Sequence, residues 1–338
     1  MERFSIGTVL VTLLIVASIF MSFQIRNQIS IREGTSSAAC SLTRSGENIS
    51  GLLTKHSKAD GFLMLLPESQ RIFGNAIVYC VLSATEADLN VSFIQIVNSC
   101  VGNHSKITKK SFVSFRMGRF NEKKRFLPLL DRATSENVAS ASSPCYWLTI
   151  GIGDDDRVER EFSEKYGSRC RIFGIEVSDS QLANFAAYGT VILGAVGLKR
   201  GTQPMSILLN KTTTKYETQM VQVHPLHELL DKHVHSRLVH YVTVDIEGAE
   251  YELLNGFNNR GENEGGVLHR EGVHFCQVDV EFHSVRARLA SFLLPFLRNT
   301  NFVPIQAEKF YDKRKATFVD ASSTAEECER AFGFRKYF

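Results

Sequence analysis

The sequence predicts an α/β protein built on a doubly wound, mostly parallel sheet. Beyond Cys145, short runs of β-branched and aromatic residues alternate with segments of helical period. One run, Tyr146–Ile150, leads straight into a glycine turn, Gly151 to Gly153. Another, Tyr241, Val242, Thr243 and Val244, ends on a group of carboxylates, Asp245, Glu247 and Glu250. Such residues suit a central strand. Carboxylates at its carboxyl end are costly to bury unless something pairs with them. In open α/β sheets ligands bind at that edge. A solvated turn whose acids favour the next helix N-terminus is the competing explanation.

The elements follow in order. Acidic residues at 154–156 precede a segment with Val158, Phe162 and Tyr166 at helical spacing, which Asp154 or Asp155 could cap and Gly167 could end. Strands are expected over Arg171–Val177 and Thr190–Val196, and a strand leading into Leu226–Leu230 over Met220 onward. After the Tyr241 strand, Ala249–Phe257 reads as a helix with Leu253, Leu254 and Phe257 inward. Val273–Phe282 is the next strand and Arg286–Arg298 the next helix. Asn301–Ile305 and Ala316–Val319 suit a closing antiparallel pair.

The N-terminal part is of another kind. Ser5–Phe23 is an uncharged apolar run with the length of one membrane span. The sequence lacks a good small-residue cleavage site, so an uncleaved signal anchor is preferred over a cleaved signal peptide. Residues 1–26 are then an anchor and 27–60 a polar stem, while 61–144 form an extension without a legible fold. Either segment type would send the remainder into the secretory lumen. Sequons at Asn48, Asn90, Asn103 and Asn210 agree with this. The stretch Lys106–Arg125 mixes basic and aromatic residues; a solvated face over a half-buried element is preferred there over a nucleic-acid surface.

Composition narrows the classes. The 338 residues are 43% hydrophobic and carry a net charge of +3, so no global excess points to nucleic acid. The 7 cysteines contain no CxxC pair, which disfavours a zinc ribbon. Cys80 with Cys100 is a plausible local bridge, and Cys276, inside a strand, is expected to be a buried thiol. His224, His227, His233, His235 and His240 read as a solvated helix face, and no metal site is assigned.

The glycine turn suits a nucleotide-type cofactor. A dinucleotide fingerprint wants a small residue where Asp156 stands, and three acids at the helix start would repel a pyrophosphate. S-adenosylmethionine, which has no phosphate and carries a sulfonium cation, fits better. Gly151, Gly153 and Asp154 would then line its site. Glu176, closing the second strand, would accept from the ribose hydroxyls.

At this point the residues resemble a known family. CYWLTIGIGDD from Cys145, FGIEVSD from Phe173, VILGAVG from Val191, VDIEGAEYELLNG from Val244 and FCQVDVEFH from Phe275 are similar to FkbM-type S-adenosylmethionine-dependent methyltransferases, especially the animal branch abundant in nematodes. The resemblance covers roughly residues 145–338. It implies a seven-strand methyltransferase fold with the last strand antiparallel, S-adenosylmethionine as cofactor and O-methylation. The chain departs from the family's pattern at Thr149, where Asp is usual, and at His227, where Leu-Asp is usual for Leu226-His227.

Methyl transfer to a hydroxyl needs positioning and a base. Asp245 is the first candidate, also placed to meet the cofactor; Glu247 and Glu250 would hold substrate. Glu281 and His283 lie two apart on a strand and face the same way, so His283 could take a proton with Glu281 orienting it. Two classes of function follow. One is a luminal, membrane-anchored methyltransferase acting on a hydroxyl of a glycan, lipid or small molecule. The other is a catalytically inactive module of the same fold that binds a partner.

Overall fold

The computed structural model describes residues 74–118, 122–130, 144–210, 215–259, 266–283, 285–322 and 326–338. The expected membrane segment, the stem, Cys40 and the sequon at Asn48 lie outside them. No helix among the described residues is long and apolar enough to cross a membrane.

Helices α1 (Asn75–Leu82) and α2 (Glu86–His104) come first. Thr85 and Asp88 cap α2 reciprocally, and the expected Cys80–Cys100 bridge joins the two helices. A hairpin follows, β1 (Val113–Arg116) with β2 (Lys123–Phe126). Then come β3 (Cys145–Ile150), α3 (Arg157–Tyr166), β4 (Cys170–Glu176) and β5 (Thr190–Leu193). A second, three-stranded sheet is inserted next: β6 (Ala195–Gly197), β7 (Gly201–Asn210) and β8 (Lys215–Pro225). The chain returns through α4 (Leu226–Leu229), β9 (Leu238–Val244), α5 (Glu250–Asn255) and α6 (Val267–Arg270). It ends with β10 (His274–Phe282), α7 (Val285–Asn299), β11 (Phe302–Phe310), β12 (Lys313–Asp320) and α8 (Glu326–Phe332).

The main sheet has seven strands in the order β11-β12-β10-β9-β3-β4-β5. Strands β5, β4, β3, β9 and β10 run parallel, and β12 lies antiparallel between β10 and β11. The mostly parallel sheet and its closing antiparallel pair are therefore as expected. Both faces are covered, which is why β9 and β10 are buried along nearly their whole length. On one face Trp147 and Tyr241 pack against Phe162 of α3 and Phe126 of the hairpin. On the other, Phe282 packs against Tyr251 of α5 and Phe292 of α7.

The first of these faces changes character along the strands. Trp147, Tyr241 and Gln277 form one row across β3, β9 and β10. Thr149, Thr243, Asp279 and Thr317 form the next. Asp245 and Glu281 follow at the carboxyl edge. The hairpin covers the polar rows. Its Lys124 is fully buried, 2.9 Å from Glu122 and 3.9 Å from Asp279, while Lys315 of β12 lies 2.6 Å from Glu122 and 3.4 Å from Asp279. Burial opposes these charges, but the lysines hold the Glu122 carboxyl down at about 2 and the acids keep Lys124 well above the usual lysine range. Gln277 closes the joint by accepting from the Leu127 N–H (2.8 Å) and donating to its carbonyl (2.9 Å).

Lys106, Lys109, Lys110 and Arg116 are exposed, in keeping with a solvated face over a half-buried element, and the exception is Lys124. Lys124 and Phe126 alternate inward on β2, and Arg125 pairs with Glu308. The expectation for Cys276 is corrected: it is bridged to Cys328 of α8, and Cys145 is bridged to Cys170 at the start of β3 and β4. His240 is no part of a solvated face. It is buried in β9, its Nδ1 accepts from the Tyr146 N–H at 3.2 Å, and burial pushes its pKa down to about 4.

Thr149, where the resemblance leads one to expect Asp, is a buried core residue. Its hydroxyl accepts from the Trp147 indole N–H (2.8 Å) and donates to Glu159 Oε1 of α3 (2.5 Å), inside the core. Burial raises the Glu159 pKa from 4.5 to about 7, against the pull of the Thr149 bond. A carboxyl with a raised folded pKa stabilises the fold while protonated, fully below its unfolded pKa, and loses that contribution as pH rises through the folded value. Stability should therefore fall by up to about 3 kcal/mol between roughly pH 4.5 and 7 relative to Glu159→Gln. Urea denaturation of both proteins at several pH values checks this, the difference between them cancelling the opposite slope from His240.

Candidate functional site

Strands β3 and β9 lie side by side, so the turns that follow them meet. Gly151 adopts φ +89°, and a Cβ placed there would stand 2.0 Å from the Asp245 carbonyl oxygen. Only glycine lets the two turns approach this closely. Gly153 also has positive φ, at +64°. Glu176, at the end of β4, is buried against this turn. Its Oε2 accepts from the N–H groups of Ile152 (3.0 Å) and Gly153 (3.1 Å), and its Oε1 from those of Val177 (2.8 Å) and Ser178 (3.0 Å). Burial raises its pKa, against the pull of these four amides.

A cavity opens at the carboxyl ends of these strands. Gly151, Gly153, Glu176, Asp245, Glu247 and Glu281 all line it, so the structure brings together most of the residues predicted for the site. Apolar walls come from Ile150, Ile175, Val177 and Val196. The β7–β8 insertion contributes Met205, Ile207 and Tyr216, and the β11–β12 hairpin contributes Phe310 and Lys313. Met117 and Glu122 reach in from the β1–β2 hairpin.

Tyr216 and Lys313 went unnoticed in the sequence. The Tyr216 hydroxyl donates to Glu247 Oε1 at 2.9 Å, and burial together with that carboxylate raises its pKa to about 12. Lys313 Nζ lies 2.6 Å from Glu281 Oε1. Burial pulls the ammonium down, but Asp245 and Glu281 more than offset it and keep the charge. Glu281, only 1% exposed, has its pKa raised by burial and by Asp245.

Three predicted residues do not line the cavity. Asp154 sits at φ +63°, its N–H bonded to the Gln181 carbonyl (2.8 Å), which fixes the turn rather than a ligand. The N-cap position of α3 falls on Asp156 rather than on Asp154 or Asp155, without a side-chain cap bond, while Asp155 accepts from the Arg157 N–H at 3.1 Å. Glu250 is completely buried and cannot hold substrate: its Oε2 accepts from Gly248 N–H and its Oε1 from His283 N–H, both at 2.7 Å. His283 stands behind the acids. Its Nε2 is 3.2 Å from Glu247, 3.6 Å from Asp245 and 3.6 Å from Glu281, with Glu250 3.4 Å from Nδ1. Burial lowers its pKa, but Glu250, Asp245 and Glu247 together raise it above the ordinary histidine value.

Comparison with known proteins gives the following. The family model described as the methyltransferase FkbM domain matches residues 111–304. Curated proteins give no match. Among solved structures, M. capricolum TrmK in complex with the natural cofactor product S-adenosyl-homocysteine is similar at 11% identity and a TM-score of 0.27, over 53% of this chain and 63% of that one. The chain thus spans less than two thirds of that protein's length. The delta-N METTL16 methyltransferase domain is similar at 9% identity and a TM-score of 0.27, over 52% of this chain and 73% of that one.

The close approach at Gly151 predicts that Gly151→Ala destabilises the protein by about 2 kcal/mol or more, through its left-handed φ and the clash with the Asp245 carbonyl. Gly102→Ala, on α2 with nothing within 4 Å, should instead gain up to about 1 kcal/mol. Urea unfolding of the pair measures the contrast.

Proposed function

The chain belongs to the methyltransferase FkbM domain family, and from this we propose that it is an S-adenosylmethionine-dependent methyltransferase acting on a hydroxyl of a glycan, lipid or small molecule. The observation that carries the reading is the cavity that joins the Gly151 turn, Glu176 and the acids of β9 and β10. The glycine turn leaves room for close backbone approach. Glu176, held in place by four amides, retains lone pairs for ribose hydroxyls. Asp245, Glu247 and Glu281 outnumber Lys313 around the cavity, which favours a cationic ligand. These residues fit the cofactor, which supplies an electrophilic methyl group on a sulfonium.

The chain's own part is to orient the acceptor and take its proton. Asp245 is the base, because its side chain reaches the cavity at the end of the central strand. Lys313 holds Glu281, and Tyr216 holds Glu247, so the acids flanking the acceptor are fixed. Thr149 points into the core, away from the cavity, so its replacement of the family's Asp does not touch the ligand.

Calorimetric titration with S-adenosylmethionine and S-adenosylhomocysteine tests this. Both should bind, and Glu176→Ala should weaken binding by roughly 10- to 100-fold, as expected for lost hydrogen bonds to a charged group. A folded, oxidised protein that binds neither would point to the non-catalytic module.

A luminal location is part of the proposal. It is supported by the three bridges Cys80–Cys100, Cys145–Cys170 and Cys276–Cys328 and by the exposure of Asn90 and Asn103 on α2. Expressed in a secretory cell, the protein should shift in mobility on endoglycosidase treatment, and Asn90→Gln and Asn103→Gln should each remove one step of that shift. An unglycosylated product with free thiols would place it elsewhere.

A further inference from the structure

His283 and Glu250 have no role in the reading above. Both are buried, both sit beside the acids of the cavity, and their arrangement has a chemistry of its own. Neither Nε2 of His283 nor Oε2 of Glu281 has a hydrogen-bond partner among the described residues, although His283 is 6% and Glu281 1% exposed. An imidazole and a carboxylate buried in this way are expected to find partners.

Their donor atoms converge. Donor atoms of Asp245, Glu281 and His283 all lie within 4.8 Å of one another, the one group of this kind among the described residues. His283 Nε2 is 3.6 Å from Asp245 Oδ1, 3.6 Å from Glu281 Oε1 and 3.2 Å from Glu247 Oε2. Donors about 2.1 Å from a common ion stand roughly 3 to 3.6 Å apart when they subtend angles of about 90 to 120°. On the far side of the ring, Glu250 lies 3.4 Å from Nδ1 and also accepts from the His283 N–H. A carboxylate behind a histidine is the usual support for a ligating imidazole, since it fixes the ring and turns the other nitrogen outward. Local charge agrees: Asp245, Glu247, Glu250 and Glu281 outnumber the two lysines near them, the buried Lys124 and Lys313, whose Nζ lies 2.6 Å from Glu281 Oε1.

We propose that Asp245, Glu281 and His283, with Glu247 in reach, form a binding site for a divalent cation, and that Glu250 positions His283 for it. Three carboxylates and one imidazole suit manganese(II) better than calcium or magnesium, which prefer all-oxygen shells. The ion would stand at the edge of the cavity. On the methyl-transfer reading, on which this role alone rests, it would lower the pKa of the acceptor hydroxyl and lessen what Asp245 must do as a base.

The test is titration of the full, oxidised chain with manganese(II) alone, followed by electron paramagnetic resonance of the free ion. It is done without S-adenosylmethionine, so the result is separate from that of the cofactor titration. One equivalent should bind. Asp245→Asn and His283→Gln should each abolish stoichiometric binding, and Glu250→Gln should weaken it by roughly 10- to 100-fold, as for other supporting carboxylates. Circular dichroism checks the fold of each variant. Asp245 is partly exposed, so Asp245→Asn decides the matter if the His283 variant does not fold. No stoichiometric binding by the wild type, or binding that Asp245→Asn leaves unchanged, overturns the proposal.

Discussion

The buried charges between the hairpin and the sheet are the constraint on which the site depends. Asp279 and Glu281 are buried on a central strand. Alone, such groups would cost several kcal/mol each or would take up protons. Lys124 and Lys315 meet Asp279 and Glu122, and Lys313 meets Glu281, so each acid has a cation beside it inside the protein. Two of these lysines come from β12 and one from the β1–β2 hairpin. The acidic edge therefore exists because segments far apart in the chain deliver cations to it.

Around that edge the sheet is graded. Aromatic rings fill the rows at the amino ends of β3 and β9, threonines and Asp279 the middle, and carboxylates the end. The grading lets one continuous sheet serve as both core and binding surface. The close contact of Gly151 with Asp245 then brings the glycine turn and the acids into one cavity. Left-handed backbone at Asp154 and Glu247, neither a glycine, marks the same two turns as places where the fold tolerates strain.

The legible parts of the sequence were those governed by local pattern. Strand β9 was readable because Tyr241–Val244 is an unbroken β-forming run, and α3 because Val158, Phe162 and Tyr166 share a face. Glu281 and His283 were paired by the two-residue repeat of a strand. The parts that were missed depend on long-range partners. Lys124 looks like surface until Asp279, far along the chain, is placed beside it. Cys276 looks like a core thiol because Cys328, its partner, lies in a separate helix. Strands β7 and β8 are rich in Thr, Gln and Glu, without the apolar alternation that announces a half-buried strand, so the insertion carrying Tyr216 was half seen. Glu250 and Glu247 could not be told apart by residue type; their burial separates them.

The strand order has a consequence for how the chain is made. β12 is inserted between β10 and β11, and Lys315 and Lys313 sit near its start. A ribosome releases the hairpin with Lys124 and Glu122 long before it releases these residues. Until then the ionic layer lacks two of its three lysines and β10 has an open edge. The cavity thus cannot be completed during synthesis from the front of the chain; it closes last, when the C-terminal hairpin arrives, and contacts of such sequence separation form slowly.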